Sequence, residues 1–222
     1  MKHLLTILLL FGVYSSAISQ VAVIDDEGGY TNVRLEANTK SAIIYRLKAD
    51  QVFWYGEDYY DKKAKWTSVY ITKNDFSIDG SPEFLHGYVY KSEIRPLNEE
   101  KKYTGAALRF EYVMKPFSKK DKIIDYKNGW ITAINGLKPW GIDGGTPKTE
   151  VDKINISLNE NEIVVPKILV IDIYECDNEF DIYKIKDTYF VHQWNSDGAG
   201  SYEIVWVITK HGIKQRLVGT II

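Results

Sequence analysis

One cysteine, Cys176, serves 222 residues, so an internal disulfide is excluded and stability has to come from packing. No sign of charge dominates: 28 Lys and Arg face 30 Asp and Glu, and no basic block stands out. A phosphate backbone favours a clustered Lys/Arg surface, so nucleic acid is not the expected partner. Beyond the first twenty residues no apolar run is long enough to cross a bilayer, and no membrane span is expected. Metal-ligand spacing is missing as well. His86, His192 and His211 fall into no H-x-x-x-H or H-E-x-x-H pattern, and no Cys/His cluster accompanies them. There is no G-x-S-x-G elbow and no glycine-rich loop between a strand and a helix. No catalytic residue, metal site or cofactor is therefore assigned.

The first feature present is a break in character at residue 20. Lys2 and His3 precede an apolar run from Leu4 to Val13, interrupted by Thr6 and Gly12, and then come Ser15, Ser16, Ala17 and Ser19. A basic start, a short apolar stretch and small residues at an A-x-A-like site read as a cleaved signal peptide spanning Met1 to Ser19. The apolar run is half of the roughly 20 residues that a membrane anchor needs. No cysteine stands at the cleavage point to carry a lipid. The expected location is outside the cytoplasm, periplasmic or secreted.

After residue 20 the pattern has a period of two. Leu108, Phe110 and Tyr112 alternate with Arg109 and Glu111; Ile154, Ile156 and Leu158 alternate with Asn155 and Ser157; Tyr183 and Ile185 alternate with Lys184 and Lys186. Strands with one buried and one wet face have this period. Ile204 to Ile208 is apolar on both faces and reads as a central strand. Turn residues separate the runs at Asn128-Gly129, Asp143-Gly144-Gly145, Asp197-Gly198 and His211-Gly212. The fold class is all-β. Charged residues 98–103, just after Pro96, read as a linker between a first domain at 20–97 and a second at 104–222.

In the first domain Tyr30-Thr31-Asn32-Val33-Arg34-Leu35 is followed by a polar turn at Asn38 to Ser41 and the apolar Ala42, Ile43, Ile44 and Leu47. Trp66-Thr67-Ser68-Val69 and Gly87-Tyr88-Val89-Tyr90 come next. This order resembles the bacterial SH3 (SH3b) family, which typically reads N-V-R, a polar turn, a short strand, W-x-x-V and a closing G-Y/W-V. The resemblance covers nearly all of residues 21–97. It implies an SH3-like barrel that recognises cell-wall peptides or other peptide partners. Two departures accompany it: Ala37 stands where the family often has proline, and the Ile71 to His86 stretch is longer than a minimal strand connection.

In such a barrel Val33 and Leu35 face the interior, Trp66 and Val69 close one side of the core, and His86 is a loop residue. Alternation sends Phe53 and Tyr55 inward, while Trp54, Tyr59 and Tyr60 either decorate a hairpin or line a groove. Aromatic rings offer broad contact with few rotors to freeze, and the expected ligand-binding groove consists of Tyr30, Trp54, Tyr59 and Tyr88.

The second domain is expected to be an antiparallel β-sandwich or open barrel of about seven to nine strands. Its segments Gly136 to Pro147 and Gln193 to Tyr202 are similar to the C-terminal region of uncharacterised exported Bacteroidetes proteins that also carry an SH3-like domain, a likeness that brings no activity with it. A calcium-loop frame starting at Gln193 fails at both ends, lacking an acidic first residue and a Glu where Ile204 stands. Trp140 is expected to fold inward over the sheet. Cys176 sits among Glu175 and Asp177, which disfavour a thiolate, and reads as structural rather than nucleophilic. The functional expectation is non-catalytic binding of a cell-wall peptide or an envelope protein. The alternatives are a cell-wall hydrolase with unrecognised catalytic carboxylates, and an inhibitor or immunity-type protein.

Overall fold

The computed structural model describes residues 20–25, 28–78, 83–195 and 198–220. The expected signal peptide, Asp197 and Ser81-Pro82 lie outside them. Sixteen strands and no long helix make up the described chain, as the period of two requires.

The first half has seven strands: β1 (Val21–Ile24), β2 (Tyr30–Arg34), β3 (Ile43–Lys48), β4 (Phe53–Tyr55), β5 (Trp66–Thr72), β6 (Phe84–Tyr90) and β7 (Ile94–Pro96). They form one sheet in the order β3-β2-β6-β5-β4-β1-β7. Each strand sends at least one side chain into a single core: Leu47, Val33, Val89, Val69, Phe53, Ala22 and Ile94. The sheet therefore wraps around this core, yet β3 and β7 do not pair with each other and the cylinder stays open. Gly87 sits at the tightest point, where a Cβ would fall 2.5 Å from Val33 Cγ1 and 2.8 Å from the Arg34 carbonyl oxygen. Two expected inward residues face elsewhere. Leu35, just past the end of β2, is 57% exposed, and Trp66 is on the outer face, stacked on Tyr90. His86 is a strand residue of β6 rather than a loop residue.

The second half has nine strands: β8 (Leu108–Pro116), β9 (Ile124–Lys127), β10 (Trp130–Ile134), β11 (Thr149–Leu158), β12 (Asn161–Ile163), β13 (Asp181–Ile185), β14 (Thr188–Asn195), β15 (Tyr202–Thr209) and β16 (Gly212–Gly219). A three-stranded sheet, β12-β11-β8, faces a four-stranded one, β13-β14-β15-β16. Leu108, Tyr112, Ile154 and Ile156 meet Val191, Ile204, Trp206 and Val218 across a common core. This is the expected antiparallel sandwich. A bulge between Val151 and Lys153 resets the alternation of β11. The β9-β10 hairpin stands apart, turning at Asn128 and Gly129 with φ of 53° and 83°, as its Asn-Gly predicts.

The four-stranded sheet is buried on both faces. On β15, Ile204, Trp206 and Ile208 point into the sandwich, while Val205 and Val207 point at the first half. There they join Tyr183, Phe190 and Leu217 against Val21, Val23, Val52, Trp54 and Leu97, five buried side chains from each half. The molecule is thus three layers deep. One buried side chain at this seam pairs fully across the halves, as burial demands. Gln215 donates to the Val52 carbonyl at 2.8 Å and accepts from the Val52 N–H at 2.9 Å. A bulge at the same place turns Lys214 towards the first half as well, where it pairs with Asp50. Residues 98–103 run along β13: Tyr103 N–H donates to the Ile182 carbonyl at 2.6 Å, and Lys102 pairs with Asp181 at 2.6 Å.

The long connection between β5 and β6 reaches into the second half. Its Phe76 and Ile78 pack against the sandwich core. Arg216 holds it there, donating its backbone N–H to the Asp75 carbonyl at 2.9 Å and Nη1 to the Phe76 carbonyl at 3.2 Å. The same guanidinium grips Asp172 with bonds of 2.7 and 2.8 Å, both residues being buried.

A shared core makes the halves unfold together. Urea denaturation followed by tryptophan fluorescence and by circular dichroism is expected to give one coincident transition, and Trp54→Ala to cost about 3–5 kcal/mol of it. Two separated transitions would show that the seam contributes little. Asp172→Asn keeps the shape but strands a buried guanidinium, and a loss of about 3–5 kcal/mol is expected in the same assay.

Candidate functional site

The register of the β5-β6 hairpin fixes what its two faces carry. Thr67, Val69 and Ile71 lie opposite Val89, Gly87 and Leu85 and point inward. Trp66, Ser68, Tyr70 and Thr72 lie opposite Tyr90, Tyr88, His86 and Phe84 and point outward. Cross-strand neighbours on one face are within ring contact, and the outer face becomes a ladder of aromatic groups. Trp66 stacks on Tyr90 with centroids 4.0 Å apart, and Tyr70 on His86 at 4.9 Å. His86 meets Tyr88 edge-on at 5.2 Å, and Tyr70 meets Phe84 edge-on at 6.5 Å.

The ladder is partly covered. Tyr70 and Phe84 pack against the core between the halves, whereas Trp66, Tyr88 and Tyr90 are half-buried and His86 is exposed. Arg34 of β2 lies directly opposite Tyr88 and spends one N–H on the Ser41 carbonyl at 2.7 Å. Farther along the same side of β2 and β3, Arg46 lies over the Tyr30 ring at 5.1 Å and donates to Asn32 Oδ1 at 3.3 Å. Beside the ladder a cavity of about 360 Å³ opens, lined by Gln20, Trp54, Tyr55, Asp58, Ser68 and Tyr70, among others. Asp58 is fixed there: it accepts from the Thr67 hydroxyl at 2.6 Å and from the Ser68 backbone N–H at 3.0 Å.

The four residues expected to form a groove fall in three settings. Tyr30 and Tyr88 are both on the outer face, Tyr30 on β2, the strand that pairs with β6. Trp54 is 4% exposed, packed into the core between the halves, and reaches the wall of the cavity with its remaining surface. Tyr59 is in a separate trio with Tyr55 and Tyr60, at 5.0 and 5.5 Å, over the end of the first core. Burial and then the Glu99 carboxylate raise the Tyr59 hydroxyl above its usual range, so it stays a neutral phenol. No ring contact joins the four to one another among the described residues. Trp66, Tyr70, His86 and Tyr90 are the ladder members that the sequence pattern did not put at a site. Their signal was parity, since they share it with Tyr88 across the hairpin.

Other chemically capable groups are buried and committed. His192 Nε2 and Glu203 Oε1 are 2.7 Å apart inside the molecule. Asp172 is held by Arg216. Among the described residues no group of three His, Cys, Asp or Glu could hold a metal ion. Trp140 folds inward as expected, 5% exposed, with Lys138 Nζ 4.0 Å from its ring centre. Burial, followed by Asp177 and Glu175, pushes the Cys176 thiol up to about 12. Its sulfur rests 3.9 Å from Met114 Sδ. That is the opposite of an activated nucleophile.

No family model, curated protein or solved structure matches this chain. The residues alone therefore carry the functional reading.

With its thiol pushed up to about 12, Cys176 holds far less thiolate at pH 8 than a free cysteine, of which about a quarter is ionised. Iodoacetamide labelling is expected to be orders of magnitude slower in buffer than in denaturant, and to accelerate as pH rises. Equal rates in both solvents would contradict the burial.

Proposed function

We propose that this is an exported, non-catalytic binding protein of the bacterial envelope, and that its outer aromatic face on β5 and β6 holds an extended cell-wall peptide. The observation that carries this reading is the uncovered end of the ladder, where Trp66, Tyr88, Tyr90 and His86 stand together on one rigid hairpin. Stacked rings on a sheet lose little entropy on binding and present wide apolar contact. Arg34, opposite Tyr88, keeps guanidinium N–H groups for a peptide carboxylate, the pairing that planar donors make best. Tyr70 and Trp54 extend the aromatic surface into the adjoining cavity, where Asp58 offers a carboxylate to an amine.

The order of motifs that resembles the bacterial SH3 family supports recognition rather than turnover, and the leader-like residues before Gln20 support export. Burial of the His192–Glu203 and Asp172–Arg216 pairs also favours binding over hydrolysis, because a substrate has no access to them. Among the described residues no helix is long and apolar enough to cross a membrane.

Purified sacculi incubated with the chain from Gln20 onward test the proposal. Retention without release of fragments is expected, and Trp66→Ala with Tyr88→Ala should weaken it at least about tenfold at unchanged melting behaviour. Released fragments would replace the reading with a hydrolase. Absence of both retention and fragments would overturn wall recognition and point to a protein partner.

A further inference from the structure

A second surface lies on the opposite outer layer, where β8 and β11 end beside the β9-β10 hairpin. There a cavity of about 520 Å³ is lined by Lys115, Lys120, Lys122 and Lys167 together with the acids Asp121 and Glu150. Glu150 is buried and positions two of the ammonium groups, pairing with Lys122 and standing 3.5 Å from Lys115. Lys115 is shared with Asp152 at 2.6 Å. Lys120 and Lys167 have no ion-pair partner among the described residues and face solvent. Lysine density is local. Residues 115–138 hold six lysines and two aspartates, while the whole chain carries a formal charge of −2.

Exposed apolar side chains flank the cationic lining in sequence and on the adjoining hairpin. Ile123, next to Lys122, is 72% exposed, and Ile168, next to Lys167, is 45% exposed. Near the tip of the hairpin Trp130 is 60% and Tyr126 54% exposed. Trp130 rests one face on Gly144, whose Cβ, if present, would lie 2.6 Å from the ring. Its other surface is free. A small free anion has no use for such side chains. Trp and Tyr concentrate where water meets hydrocarbon, and lysines beside them are drawn to anionic headgroups. We propose that the cavity and these flanking side chains form a site for the phosphate headgroup of an anionic phospholipid, seating the chain on a membrane surface without spanning it. The apolar side chains enter the headgroup layer, and Lys120 and Lys167, which are in no ion pair among the described residues, supply positive charge. This site shares no residue with the aromatic ladder, so either can fail alone.

Vesicle co-flotation of the chain from Gln20 onward tests this, the apolar Leu4 to Val13 run being omitted because it would partition into lipid by itself. One set of vesicles is phosphatidylcholine alone; in the other about one lipid in three is phosphatidylglycerol. Binding is expected only to the second, and to fall as salt rises from about 0.05 to about 0.5 M. Lys120→Gln with Lys167→Gln should weaken it by about tenfold or more. Ile123→Ser with Ile168→Ser should weaken vesicle binding while leaving any binding of soluble glycerol phosphate unchanged. All four side chains are exposed, and melting temperatures serve to confirm that the variants fold. Equal binding to both vesicles, binding to neither, or indifference to the lysine substitutions would overturn the proposal. So would binding of glycerol phosphate by a chain that ignores vesicles, which would make this a site for a free anion.

Discussion

The architecture depends on one constraint: β15 has no face turned to water. Tyr202 to Ile208 are all buried, so the sheet that contains them needs a cover on each side. The β8-β11-β12 sheet supplies one cover and the first half supplies the other. Alternation then dictates the rest. β1 and β4 of the first half must also be apolar on both faces, and they are, with Ala22, Ile24, Phe53 and Tyr55 turned inward and Val21, Val23 and Trp54 turned to the seam. Burying five apolar side chains from each half, at roughly 1.5–3 kcal/mol apiece, outweighs anything a surface ion pair can add. What the polar groups add is register. Gln215 can satisfy both hydrogen-bonding groups of Val52 in one docking position only, and Arg216 fixes the Asp75–Phe76 connection and Asp172 at once. A slip of one residue would leave each of them buried and unpaired, a cost of several kcal/mol.

The same constraint explains why the candidate binding face is where it is. The second half covers the outer side of β1 and β4 and reaches only the Phe84 end of β6. Rings under the cover, such as Tyr70 and Phe84, become part of the seam, and rings beyond it stay half open. Trp66 and Tyr90 limit their contact with water by stacking on each other. The face is thus rigid at one end and accessible at the other, and a ligand needs little reorganisation to dock.

Much of this was legible in the chain. The all-β class, the central position of Ile204 to Ile208, the Asn128-Gly129 turn and the inward Trp140 follow from period, turn chemistry and aromatic bulk. The site was less legible, for a physical reason. A hairpin has two faces, and alternation assigns residues to one or the other without saying which is buried. Trp66 reads as core because it is large and apolar, yet it shares parity with Ser68 and Tyr70, and Thr67, Val69 and Ile71 take the interior. Trp54 was misleading in the other direction. As an aromatic residue on a short strand it fits a groove, but its neighbour is the Phe190 and Leu217 side of another sheet, which no local pattern reveals. Leu35 lost its place inside when β2 ended at Arg34. The connection between β5 and β6 was visible only as excess length. That it docks through Phe76 and Ile78 depends on Arg216, 140 residues away.

Three layers have two outer surfaces, and the two candidate sites fall on different ones. The aromatic ladder belongs to the first sheet, the lysine-lined cavity to the layer on the far side of the four-stranded sheet. Between them lies the most completely buried part of the molecule. A flexible linker between two binding modules leaves their separation to chain statistics. A shared core fixes it instead. A chain built this way is suited to holding one partner at a set distance and orientation from another, and the burial of Val205, Val207 and Phe190 is what makes that distance a property of the fold.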